Sequence, residues 1–242
     1  KAPMKIGKSK ALREYFKTLS DDTTICILSF RKSFTISTLG SLVNNATEFE
    51  SYDKVKGNIT PTKYPKVIVQ IESLHRLRVK HPYDIVILDE SESILEQFNS
   101  GLSKKLSMIV TNFTYHIMRS QQVICMDANM GERTVEVIKH IRKSKPYHIS
   151  INEYKNASDY NYSIGYCKNT FYSKIKDALD DNKKIVIVAN TRDELRAYEQ
   201  MILEDYPFKK DKMLLYASDS NLSEKRKHMS DVNTWWTLYD II

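Results

Sequence analysis

VILDESESIL, residues 86–95, joins an apolar run that belongs in a buried strand to three carboxylates, Asp89, Glu90 and Glu92. Carboxylates crowded at a strand end repel one another and lose hydration, so a cation, usually a metal ion, is the physical reason for keeping them together. Similar apolar runs recur on both sides. TTICILSF (23–30), KVIVQI (66–71), YDIVILD (83–89), QVICMDA (122–128) and YHISIN (147–152) read as strands, while 8–20, 32–47, 101–119 and 132–143 carry helical periodicity. Near-continuous apolar strands alternating with helices predict a parallel α/β sheet covered on both faces.

NEYKNASDY (152–160) is polar and aperiodic and reads as a linker. After it the alternation restarts: YSIGYC (162–167), a helix over 169–181, KIVIVAN (184–190), a helix over 192–205, KMLLYAS (212–218), a short helix near 223–230, and TLYDII (237–242). The predicted organisation is a first α/β domain over 1–151, a linker over 152–159 and the N-terminal part of a second domain over 160–242.

Bulk properties set the limits. At 242 residues, 41% hydrophobic and 28% charged, the chain has the size and composition of one large or two modest globular domains. No apolar run approaches the roughly 18 residues of a membrane span, and KAPMKIGKSK does not read as a signal peptide, so no membrane partner and an intracellular location are expected. Cys26, Cys125 and Cys167 are far apart, each in or beside an apolar run, and read as buried thiols rather than metal ligands or disulfides. The net charge of +7 favours polyanionic partners, although 27 lysines against 10 arginines is equally the imprint of an AT-rich genome.

The acids of 86–95 need a phosphate site to complete them, and residues 2–9, APMKIGKS, fit a phosphate-binding loop. Ala2 stands at its first glycine position, Met4, Lys5 and Ile6 run through the loop, and Gly7, Lys8 and Ser9 close it at the start of a helix. Loop amides and a helix N-terminus point N–H groups at phosphate oxygens, the lysine neutralises charge on the β- and γ-phosphates, and the hydroxyl ligates magnesium. A lysine-rich helix start is the plain alternative, but Asp89 at the end of a strand supplies the second half of the site. ATP and Mg²⁺ are therefore the expected cofactors: Asp89 holds the ion, usually through water, and Glu90 orients and deprotonates the water that attacks the γ-phosphate. Glu92 reads as the first turn of the helix SESILEQF, where the dipole favours an acid, with reach toward Asp127 as the alternative.

APMKIGKS, SFRKSFT (29–35), QIESLHRL (70–77), VILDE (86–90) and MDAN (126–129), in that order, resemble a superfamily 2 helicase of the herpesvirus origin-binding-protein type, as found in large DNA viruses. ANTRDE (189–194), LLYASDS (214–220) and DVNTWW (231–236) look like its later motifs. The resemblance implies two RecA-like parallel-sheet domains in tandem, the second incomplete, with ATP in the cleft and single-stranded DNA across the top. Duplex DNA or RNA is the alternative ligand, and other replication proteins are the implied partners in a host cytoplasm or nucleus.

Ser29, Arg31, Lys32, Ser73, His75 and Arg76 fall at strand ends on one edge, and small hydroxyls with a few cations suit phosphate contacts that grip a strand without reading bases. Taken alone, Arg31 and Lys32 read equally as a solvated helix start and His75 as a core or capping histidine. With the resemblance, Ser29, Arg31, Lys32, Ser73 and Arg76 are expected to contact nucleic acid, joined by Thr191 and Arg192 in the second domain. Asp127, Ala128 and Asn129 fit the motif that links hydrolysis to the nucleic-acid cleft, or a plain strand-ending turn. Trp235 and Trp236, read on a strand or turn, are assigned to core packing.

Three features depart from the family pattern. Lys5 stands where relatives usually carry glycine, DESE replaces the common D-E-x-D/H, and the sequence stops before the arginine-finger motif. The chain is accordingly expected to be part of a larger ATPase, weak by itself. A DNA-binding replication scaffold with a degenerate nucleotide site is the alternative, and a P-loop kinase a more distant third.

Overall fold

The computed structural model describes residues 1–2, 7–30, 49–99, 105–143, 145–154, 164–165, 167–217 and 220–242. They form two compact units, Lys1–Asp159 and Tyr160–Ile242. The first contains α1 (Lys8–Phe16), β1 (Ile25–Ser29), β2 (Glu50–Ser51), β3 (Lys66–Gln70), β4 (Ile85–Asp89), α2 (Ser91–Glu96), α3 (Leu106–Arg119), β5 (Gln122–Met126) and α4 (Glu132–Arg142). The strands pair in the order β2-β3-β1-β4-β5, and every pairing is parallel.

The strand period of two explains why both faces are covered. Cys26, Leu28, Val67, Val69, Val86 and Leu88 share one core with Ile94 and Leu95 of α2 and Ile109, Phe113 and Ile117 of α3. The intervening Ile25, Ile27, Ile68, Ile85 and Ile87 face the other way, onto Leu12 and Phe16 of α1. Leu12 and Phe16, like Phe113 and Ile117, are four apart, so each pair lies on one helical face. All five residues of β1 and of β4 are buried, as a doubly covered parallel sheet requires.

YHISIN departs from the sequence reading. Residues 147–152 are not a strand; they make a single parallel pairing with Lys1, whose N-terminus donates to Ser150 O at 2.6 Å and whose carbonyl accepts from Asn152 N at 2.9 Å. The predicted helix over 32–47 lies outside the described residues.

The second unit holds α5 (Lys168–Asp180), α6 (Arg192–Asp205), α7 (Leu222–Ser230) and α8 (Val232–Trp235). KIVIVAN, KMLLYAS and the final residues run parallel, but as isolated bridges rather than strands: Ile241 sits between Ile185 and Met213 and bridges both. The ladder is held by bonds such as Ile185 N to Asp240 O at 2.9 Å, Ile242 N to Ile185 O at 3.0 Å and Ile187 N to Ile242 O at 2.7 Å. Ile175, Leu179, Tyr198 and Ile202 cover one side of it. The predicted strand at YSIGYC is not found at Ile164 and Gly165, which are exposed and irregular. Trp235 ends α8 and Trp236 begins the 3₁₀ turn Trp236–Leu238 rather than lying on a strand, packing against His228 and Tyr216 respectively.

Candidate nucleotide site

Parallel strands bring their C-terminal ends to one edge, which here gathers Ser29, Gln70, Asp89 and Met126. Ligands of open α/β sheets bind along that edge. Gly7 forms the N-cap of α1 at φ 91°, a left-handed conformation that glycine adopts without a Cβ clash. Lys8 opens the helix, and its ammonium donates to Ala2 O at 3.2 Å and lies 3.5 Å from Glu90 Oε1. Ala2 N in turn donates to Asp127 O at 3.1 Å, tying the start of the loop to the end of β5. Ser9 is exposed one position into α1. Met4, Lys5 and Ile6 lie outside the described residues.

Asp89 is buried at the end of β4. Burial first, then the neighbouring Glu90 charge, pushes its carboxyl up to about 6 against the pull of Lys8. Glu90 follows at φ 61°, ψ 62°, a left-handed backbone that costs a non-glycine residue on the order of 1 kcal/mol or more. Its amide donates to Met126 O at 2.8 Å. Asp127 fastens the turn from the other side: Oδ2 accepts Glu92 N at 2.8 Å and Oδ1 accepts Asn129 N at 2.6 Å, with Ala128 between them.

Glu92 does more than start a helix. It lies in the first turn of α2, yet its carboxylate crosses to the N-terminus of α4. Oε1 accepts from Gly131 N at 3.0 Å, Thr134 N at 3.2 Å and Thr134 Oγ1 at 2.5 Å. Oε2 accepts from Arg133 Nε at 3.0 Å, while Arg133 also donates to Glu92 O at 3.0 Å and pairs with Glu96. Burial raises the Glu92 carboxyl, but the Thr134, Gly131 and Arg133 donors outweigh it and hold the group below the ordinary range. Sequence reading missed Gly131, Arg133 and Thr134. The available signal was a helix starting after Gly131 with no side chain to cap it, which leaves first-turn amides seeking an acceptor.

The arrangement fits a magnesium–nucleotide. Among the described residues there is no cluster of three or more His, Cys, Asp or Glu suited to a metal. Magnesium bound with phosphates needs only one or two protein oxygens, and Asp89 and Ser9 are the side chains that could offer them. A cavity of about 720 Å³ has Gly7 and Lys8 among its lining residues but continues along β5 past Leu12, Tyr15 and Ile138, and its wall is mainly apolar.

The expected nucleic-acid residues are placed unevenly. Ser29 is buried at the end of β1, and Ser73 is half-buried in the 3₁₀ turn Ile71–Arg76. His75 Nδ1 lies 2.9 Å from Glu72 O, a local turn contact. Arg76 points its guanidinium into its own domain: it donates to Gly57 O at 2.9 Å, Tyr52 O at 2.8 Å and Val55 O. That geometry makes Arg76 a clamp on the 52–57 loop, a partner set that the motif does not reveal. In the second unit Thr191 caps α6, its hydroxyl accepting Glu194 N at 3.2 Å, and exposed Arg192 lies 3.7 Å from Asp193. Arg31 and Lys32 lie outside the described residues.

The family described as origin of replication binding protein matches residues 1–164. The chain belongs to that family. A helicase/primase complex protein of African swine fever virus is 37% identical over 250 residues, covering 100% of this chain and 23% of the relative. A replication origin-binding protein of human herpesvirus 7 is 29% identical over 242 residues, covering 97% of this chain and 29% of the relative. The chain thus spans about a quarter of the length of these curated relatives. Among solved structures, an S. cerevisiae Dbp5 chain bound to ADP gives a TM-score of 0.48 at 13% identity over 94% of this chain and 62% of that one, too distant to carry an inference. Among the described residues no helix is long and apolar enough to cross a membrane.

Proposed function

We propose that this chain is the ATP-binding part of a DNA helicase or translocase of viral replication, in which ATP hydrolysis drives movement on single-stranded DNA. The observation that carries the reading is the meeting of Lys8 and Glu90, 3.5 Å apart, beside buried Asp89 at the ligand-binding edge of a parallel sheet. Relatives named for a helicase/primase complex and for replication origin binding support the same direction.

In this reading the α1 N-terminus and Lys8 hold phosphate charge, and Ser9 and Asp89 hold the ion. Bound magnesium would neutralise charge on the phosphates, and Glu90 takes the proton of the attacking water. Asp127, Ala128 and Asn129 belong to the turn behind the acids, and Ser29, Ser73, Thr191 and Arg192, with Arg31 and Lys32, remain the proposed nucleic-acid contacts.

The test is steady-state ATP hydrolysis by the full-length protein, with and without single-stranded DNA. Hydrolysis stimulated by DNA is expected, abolished in Lys8→Ala and in Glu90→Gln, with Glu90→Gln still binding ATP. Wild-type turnover in Glu90→Gln would remove the base assignment. Lys5, a long side chain within the phosphate loop, favours the second reading, a DNA-binding scaffold with a degenerate nucleotide site. That protein would bind DNA identically with and without ATP and hydrolyse none.

A further inference from the structure

Glu90 combines two properties that are awkward together: it is the proposed proton acceptor and it sits in a left-handed backbone conformation at φ 61°. A strained residue persists only where its surroundings over-determine it. A backbone bond from Glu90 N to Met126 O and a bond from Glu92 N to the Asp127 carboxylate at Oδ2, both 2.8 Å, frame the turn. A further restraint is the Glu92 side chain, whose four incoming bonds all come from the 131–134 segment, 39 to 42 residues away.

We propose that Glu92 is a positioning residue, a latch between α2 and the N-terminus of α4 that holds the strained Glu90 turn and so fixes the Glu90 carboxylate relative to Lys8. The inference deepens the ATPase reading and rests on it for its kinetic consequences. Its geometric basis is independent of any nucleotide. Thr134 is buried and bonds both Glu92 and Ser91, so the residue directly after Glu90 is fastened to the same helix end. A shift of α4 or of the 127–131 turn is thereby transmitted to Glu90. Glu92 touches no reacting atom in this account. It acts through the backbone of the turn.

Glu92→Ala and the near-isosteric Thr134→Val test the latch, with Glu96→Gln as a control that removes an Arg133 pairing but leaves the Glu92 carboxylate in place. In the full-length protein, Glu92→Ala is expected to lower kcat for ATP roughly 10- to 100-fold with KM changed less than about twofold, the signature of a misplaced catalytic group. Thr134→Val should shift both in the same sense and Glu96→Gln should shift neither. Amide hydrogen exchange gives a readout without nucleotide: the Glu90, Ser91 and Glu92 amides should exchange at least about tenfold faster in Glu92→Ala while the β4 amides of residues 85–88 stay protected.

Unchanged kcat together with unchanged exchange at Glu90–Glu92 in either folded variant would overturn the proposal. A fall in thermal stability with no change in kcat would also overturn it, leaving Glu92 as a helix cap. If the wild-type protein hydrolysed no ATP, the ATPase reading would fail, and exchange at Glu90–Glu92 would still decide whether the latch exists.

Discussion

Lys8 and Glu90 each expose less than a fifth of their side chains, so their pairing is partly shielded from solvent and links two segments that the sequence holds far apart. It also gives Lys8→Ala and Glu90→Gln distinct expectations, lost nucleotide binding in the first and lost chemistry with retained binding in the second. His116 adds a pH dependence of its own to the stability of the same unit. His116 is 2% exposed, and its ring lies tilted 6.0 Å from that of Tyr83. Burial lowers its pKa from 6.5 to about 4. Above pH 6.5 the ring is neutral in both states and adds no pH dependence. As the pH falls from 6.5 to about 4 the unfolded chain takes up a proton that the folded chain refuses, so this group removes up to about 3 kcal/mol of stability across that window. Urea unfolding of His116→Leu should show a shallower loss of stability between pH 6.5 and 4 than wild type. Parallel curves would show that the buried ring is not responsible.

At the scale of elements, Arg76 and Thr191 have partners within their own units that their motifs do not reveal. Arg76 fastens the 52–57 loop through three backbone carbonyls, and a planar fork does this where a lysine cannot. Arg76→Lys should therefore destabilise the first unit by on the order of 1–3 kcal/mol in chemical denaturation, as expected when charged hydrogen bonds are lost. Full stability in Arg76→Lys, combined with weakened DNA binding in Arg76→Ala, would return Arg76 to the nucleic-acid surface. Thr191 satisfies the first turn of α6, and Thr191→Ala should cost the second unit about 1 kcal/mol while Thr191→Ser restores it.

For the whole molecule, the net charge of +7 makes salt the simplest probe of the proposed partner. Affinity of the full-length protein for single-stranded DNA should fall with salt at a log–log slope of roughly −0.7 per contacted phosphate. An affinity indifferent to salt would remove phosphate gripping from the functional reading. Residues 1–242 alone should hydrolyse ATP slowly compared with the full-length protein, because the curated relative they match is about four times as long. Equal turnover would show that these residues already contain every group the reaction needs.

The parallel sheet of the first unit was legible in the sequence because the near-continuous apolar runs ICILS, KVIVQ and IVILD, and the spacing of four in Leu12 and Phe16, are properties of the chain before it folds. The site was legible in part for a related reason: parallel strands must end on one edge, so a glycine-lysine helix start and an acid-ended strand were bound to converge. Sequence could not reveal YHISIN as irregular, because a strand needs a ladder partner as well as propensity. Nor could it assign Arg76 to the carbonyls of 52–57 or Glu92 to the amides of α4. Those partners depend on which loop and which helix end the packed sheet sets side by side, and only the tertiary structure decides that.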